Sequence, residues 1–183
     1  MRVFFGLELD AATAVRVSDW RDRQFAHAGR PVSPADFHIT LAFAGELAEP
    51  ALERLCLGVD GALARRAVAG AELQLDRTGY WHRPGVYWLG PEEWPAELSR
   101  LAKKLRDLIT SVGGKRDRNP FLPHITLFRR CEVAPPAPAQ PPDFRLDYRH
   151  FALFESRPGK RGVSYHVLHS WELSPPARGE ASC

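Results

Sequence analysis

The tetrapeptide His-Ile-Thr-Leu occurs twice in this chain, at 38–41 and again at 124–127. No other feature constrains the fold as much. In an extended strand, residues i and i+2 share a face. Each copy therefore presents an imidazole beside a hydroxyl, His38 with Thr40 and His124 with Thr126, while Ile and Leu turn away and pack. A single His-x-Thr on an apolar strand is ordinarily a core or edge residue with satisfied hydrogen bonds. Two identical copies are different, because packing a sheet does not require His and Thr to be restored at the same two positions. Converging on one cleft, the pairs would supply what phosphate-ester chemistry needs: one imidazole to take a proton, another to give one, and hydroxyls to hold a phosphoryl oxygen.

The chain has 183 residues, 44% of them hydrophobic, enough for one bilobal domain with a real core. That domain is expected to span residues 1–174, with residues 175–183 a polar, disordered tail. A net charge of +3 suits an anionic substrate gripped locally, not a protein that coats nucleic acid. Cys56, Cys131 and Cys183 have no metal-ligand spacing and read as free thiols in a reducing cytoplasm. No stretch approaches the length of a membrane span. The apolar run at the N-terminus is too short for a signal peptide and reads as a first strand.

Hydrophobic periodicity and turn chemistry set out the elements. A strand over 2–9 leads through an Asp10 cap to a helix over 11–28. The first His strand covers 37–43 and closes at Gly45. A second helix follows at 51–65, then strands over 68–75 and 85–89 flanking a loop with Tyr80, Trp81 and His82. Leu98, Leu101, Leu105, Leu108, Ile109 and Val112 mark the clearest helix, ended by Gly113-Gly114. A basic loop with Lys115, Arg116 and Arg118 delivers the second His strand. A proline-rich connector over 135–142 leads to closing strands over 144–155 and 164–173. This order predicts two α+β lobes facing each other across a groove.

The paired motifs resemble those of the 2H phosphoesterase superfamily, and in particular its RNA 2′,3′-cyclic phosphodiesterase (2′-5′ RNA ligase) branch. The segments carrying the resemblance are Arg2-Val-Phe-Phe-Gly-Leu, Phe37-His-Ile-Thr-Leu-Ala-Phe-Ala-Gly-Glu, Gly85-Val-Tyr-Trp-Leu-Gly, Phe121-Leu-Pro-His-Ile-Thr-Leu-Phe-Arg and the Leu153-Phe-Glu-Ser and Tyr165-His-Val-Leu pair. Ala44 departs from the larger apolar residue common there. The resemblance implies an α+β fold of two pseudo-symmetric lobes, each a small antiparallel sheet with helices outside, around a central groove carrying both motifs. It implies opening of RNA 2′,3′-cyclic phosphate ends to 2′-phosphomonoesters without metal or other cofactor, and 2′-5′ ligation in reverse. His38 would be the proton donor, His124 the acceptor, Thr40 and Thr126 the phosphate contacts, and Arg129 the motif arginine. RNA ends, tRNA fragments included, or cyclic mononucleotides would be the partners of a cytoplasmic monomer.

Imidazole suits both proton roles because its ordinary pKa lies near neutrality. Charge growing on the phosphoryl oxygens needs donors already in place. Arg129 raises a geometric difficulty. In a regular strand His124, Thr126 and Phe128 share one face, so Arg129 should point away; either a bulge or the strand end re-aims it, or Arg130 serves instead. Phe43 and Phe121, with Trp81 and Tyr165, are candidates for stacking a base. The other histidines, His27, His82, His150, His166 and His169, have no motif context. Two alternatives stand beside the enzyme: a non-catalytic module that binds RNA ends, and a metal hydrolase using His38, His124 and a third ligand such as His82. The motifs are nearly symmetric, so the residues alone do not separate donor from acceptor.

Overall fold

A computed structural model describes residues 1–160 and 162–176. Residues 177–183, most of the tail expected to be disordered, lie outside the described residues. Among the described residues the fold is α+β, with three α-helices and antiparallel sheets. The strands are β1 (Arg2–Glu8), β2 (Arg30–Pro31), β3 (His38–Glu46), β4 (Ala71–Leu75), β5 (Arg77–Trp81), β6 (Val86–Gly90), β7 (Ile125–Arg129), β8 (Phe144–Tyr148), β9 (His150–Gly159) and β10 (Gly162–Glu172). The helices are α1 (Ala11–Gln24), α2 (Glu49–Arg65) and α3 (Ala96–Ser111).

The two His strands lie side by side at the centre. The main sheet runs β10-β9-β1-β3-β7-β6-β5, and every pairing in it is antiparallel. Two half-sheets thus meet at β3 and β7, and they meet at one register pair, Ile39 with Ile125. Beyond that pair the strands part, and β2 takes the place of β3 beside β7, pairing with Phe128 and Arg129. The second sheet is the pair β4-β8. Ile39, Leu41, Ile125 and Leu127 share one core with Leu98, Leu101, Leu105 and Ile109 of α3 and with Val17 and Trp20 of α1. Burial of such side chains contributes roughly 1.5–3 kcal/mol each. The helices thereby cover one side of the motif strands and leave the His/Thr side open.

Several boundaries differ from the sequence expectation, each for a packing reason. Helix α1 stops at Gln24, not at 28, because Phe25 adopts an extended backbone and inserts edge-on among Trp20, Tyr87 and Phe128. Tyr80 and Trp81 belong to β5, not to a loop. Gly79 sits in mid-strand, where the indole of Trp88 lies across it; a Cβ there would approach Trp88 to 2.1 Å. Gly45 does not end β3 but lies inside it at φ +75°, a conformation glycine adopts without strain. The expected strand over 144–155 is two strands, β8 and β9, which join different sheets. The proline-rich connector is tied to α1, with Trp20 Nε1 donating to the Gln140 carbonyl at 2.9 Å and Gln140 N to Gln24 Oε1 at 2.9 Å. Cys56 and Cys131 are free thiols; Cys183 lies outside the described residues.

Candidate active site

The geometry of the groove follows from strand register. With Ile39 opposite Ile125, continuing the antiparallel register sets His38 across from Thr126 and Thr40 across from His124. The four side chains form a diagonal quartet on the face that the helices leave open. Each imidazole is partly buried and held in the same way. His38 Nδ1 lies 2.8 Å from the Asp36 carbonyl and His124 Nδ1 lies 2.8 Å from the Leu122 carbonyl. A carbonyl only accepts, so Nδ1 carries the proton in both rings, and Nε2 is left as the nitrogen that can exchange one.

Each ring is also braced by aromatics. His38 packs against Phe4 at 4.8 Å and meets Tyr165 edge-on at 4.7 Å. His124 meets Trp81 edge-on at 4.6 Å, with Trp88 behind at 6.1 Å. Gly79→Ala is expected to destabilise the fold by about 1–3 kcal/mol, because the added methyl must displace the Trp88 indole that backs His124. Urea unfolding followed by tryptophan fluorescence measures it; an unchanged midpoint contradicts this packing.

The difficulty over Arg129 resolves into a bulge. Tyr87 pairs with Phe128 while Trp88 pairs with Thr126, so β7 carries one extra residue at Leu127. The same irregularity occurs in β3, where Phe5 pairs with Ala42 and Gly6 with Thr40, and the extra residue is Leu41. Both bulges fall on the leucine of the motif. Each buries two successive residues, Leu41-Ala42 and Leu127-Phe128, and each returns the following side chain to the open face. Phe43 and Arg129 are those side chains. They occupy equivalent positions, five after His38 and His124, so the groove is symmetric in its His-Thr quartet and asymmetric in what flanks it.

Two cavities of about 650 and 690 Å³ flank the quartet, and His38, Thr40 and Arg129 line both. One lies over β1, β3, β9 and β10, and Phe43 and Tyr165 line it. The other lies beside the β5–β6 turn and the loop before β7, with Trp81, Phe121, His124 and Thr126 in its wall. All seven expected site residues thus border one continuous groove. The basic residues Lys115, Arg116 and Arg118 do not line either cavity; Arg106, Asp117 and Asn119 do. Sequence reading missed Arg2, which lies over the Phe43 ring at 5.2 Å, and Arg30 and Arg83 in the walls. These arginines have no local motif. The bulges did leave a signal: the apolar doublets Leu41-Ala42 and Leu127-Phe128 break strict alternation.

Among the described residues, no group of three His, Cys, Asp or Glu is placed to hold a metal ion. The metal-hydrolase alternative, with His82 as third ligand, therefore lacks such a group. Among the described residues, no helix is long and apolar enough to cross a membrane.

Burial pushes His38 down to about 4, against the Asp36 carbonyl, which raises it; Arg129 and His124 lower it further. Burial also lowers His124, with Leu122 opposing and Arg129 assisting. Both rings are then neutral at neutral pH while no anion is bound. A ring depressed on folding takes up its proton more readily when unfolded. His38 therefore leaves stability intact above about pH 6.5 and erodes it as pH falls from there toward 4. An anion between the rings reverses this. Phosphate binding at pH 6 is expected to draw protons from solution, measurable by calorimetry in buffers of different ionisation enthalpy; buffer-independent heats contradict the coupling.

Comparison with known proteins identifies the family. The family model of the 2′-5′ RNA ligase superfamily matches residues 9–159. The chain belongs to that superfamily. Similar proteins in the family include the RNA 2′,3′-cyclic phosphodiesterase of Escherichia coli, 35% identical over 94% of this chain and 97% of the relative. The RNA 2′,3′-cyclic phosphodiesterase of Thermus thermophilus is 34% identical over 98% of this chain and 92% of its own. Among solved structures, E. coli LigT complexed with 3′-AMP superposes with a TM-score of 0.85 at 34% identity, covering 94% of this chain and 97% of that one.

Proposed function

We propose that the chain is a metal-independent RNA 2′,3′-cyclic phosphodiesterase that opens cyclic phosphate ends to 2′-phosphomonoesters. The observation that carries this reading is the register pair Ile39–Ile125, flanked by two His-Thr pairs that share a groove with Arg129. Relatives named RNA 2′,3′-cyclic phosphodiesterase support the substrate class. Water attacks phosphorus in line with the departing ribose oxygen. His124 Nε2 takes the water's proton, and His38 Nε2 returns one to the leaving alkoxide. Thr40, Thr126 and Arg129 hold the non-bridging oxygens, where charge accumulates. Because the resting rings are neutral, His38 gains its proton when the phosphoester anion arrives. With an RNA 5′-hydroxyl attacking in place of water, and the same ribose oxygen departing, the same groups support 2′-5′ ligation without ATP. Phe43 and Phe121, on opposite arms of the groove, are the stacking surfaces for flanking bases.

The deciding experiment is incubation with nucleoside 2′,3′-cyclic monophosphates and with a cyclic-phosphate-ended oligonucleotide, after exhaustive EDTA treatment. Formation of 2′-phosphate at an undiminished rate is expected. A 3′-phosphate product, or loss of turnover to the chelator, contradicts the mechanism. Binding of the oligonucleotide with no turnover under any condition favours the RNA-end-binding module instead.

A further inference from the structure

Arg21 is the buried cation of α1, 4% exposed, and lies more than a hundred residues before the second motif. Burying a guanidinium is costly unless its donors are satisfied, and the partners it has found are informative. Nη1 donates to the Val32 carbonyl and, at 3.3 Å, to the Leu127 carbonyl. Nη2 reaches Ser18 Oγ at 3.3 Å, and Nε reaches Asp22 Oδ1 at 2.9 Å. The guanidinium also lies against two rings, Phe37 at 5.5 Å and Phe128 at 5.4 Å.

Those contacts converge on the weak point of the sheet. Phe37 immediately precedes His38, Phe128 immediately precedes Arg129, and Leu127 is the bulged residue itself. Past Ile39 and Ile125 the two central strands separate, so the Leu127 carbonyl has no β3 partner there. It accepts from Val32 N at 3.0 Å and from Arg21. Arg21 therefore stitches the split from the side opposite the groove and holds the extra residue of β7 in place. Without that hold, β7 is free to relax toward regular alternation, which turns Arg129 away from the groove.

We propose that Arg21 is a positioning residue that aims Arg129 without itself touching substrate. This rests on the reading of Arg129 as the phosphate ligand. A misplacement of the order of 1 Å in such a group can cost about a hundredfold in rate. The test is a double-mutant cycle on Arg21→Met and Arg129→Met. It is read as kcat/KM for a nucleoside 2′,3′-cyclic monophosphate and as Kd for inorganic phosphate. Arg21→Met is expected to lower kcat/KM by about 10- to 100-fold and to weaken phosphate binding. In the Arg129→Met background it should cost almost nothing further, because the group it aims is gone.

Additive losses overturn the proposal. So does recovery by Arg21→Lys, since a point charge cannot bond two carbonyls and stack on two rings together. Arg21→Lys also keeps the cycle measurable if Arg21→Met fails to fold. Leu146→Ala, a buried change on β8, serves as the control for lost stability alone. If it lowers kcat/KM as far as Arg21→Met does at a matched urea midpoint, the positioning role is wrong. Wild-type protein that binds phosphate but shows no turnover removes the functional reading and leaves the phosphate cycle to decide Arg21. Failure of wild type to bind phosphate sinks both.

Discussion

Alanine at His38 or at His124 is expected to lower kcat by about 10²–10⁴-fold each, the range a positioned proton donor or acceptor supplies. The fold should persist, since each ring is only partly buried and its hydrogen bond is to a carbonyl two residues upstream. The double variant should be little worse than either single one, because a proton taken without one returned does not complete the reaction. The roles separate by leaving group. A phosphodiester that expels p-nitrophenolate needs no proton donor, so His38→Ala should recover most of its loss on that substrate while His124→Ala does not. The opposite pattern exchanges donor and acceptor. Near-normal turnover of the cyclic phosphate by either variant removes the two-histidine mechanism altogether. His38 is the more demanding case: its resting ring is pushed to about 4, so it can donate only after a bound anion has charged it.

Arg129→Met should cost about 10²–10³-fold in kcat/KM, comparable to deleting one preorganised donor from an oxyanion site. Arg129 lines both cavities and depresses both histidines. Arg130, its neighbour, lines one cavity and sits at φ +55° past the end of β7. Arg130→Met is therefore expected to change kcat/KM by less than about threefold, as a rim charge screened by salt does. Equal losses at the two positions would move the phosphate contact off Arg129. Removing Arg129 also removes a positive charge beside two depressed imidazoles, so the acidic limb of the pH–rate profile should shift upward.

Much of this site was legible before any fold was known. The His-Thr pairs, their shared face and the burial of Ile and Leu follow from a period of two. The α3 stripe and the Asp10 cap, whose carboxylate accepts from Thr13 N at 2.8 Å, are equally local. What was misread depended on distant partners. Tyr80 and Trp81 read as loop residues until β6 pairs with them, Tyr80 with Tyr87 and Trp81 with Val86. Phe25 belongs to a helical pattern until Tyr87 and Phe128 supply a better place for its ring. Tyr165 and Trp81 read as candidates for stacking a base, and become braces of the two imidazoles only when β10 and β5 fold over their histidines.

By itself, the sequence determined which atoms could do acid–base work, because strand alternation is a property of the backbone and needs no neighbour. Only the tertiary structure decided that the two faces meet across one seam and that Arg129 joins them. Strand pairing compares residues far apart in the chain, and an extra residue in β7 exists only relative to the shorter run of β6 beside it.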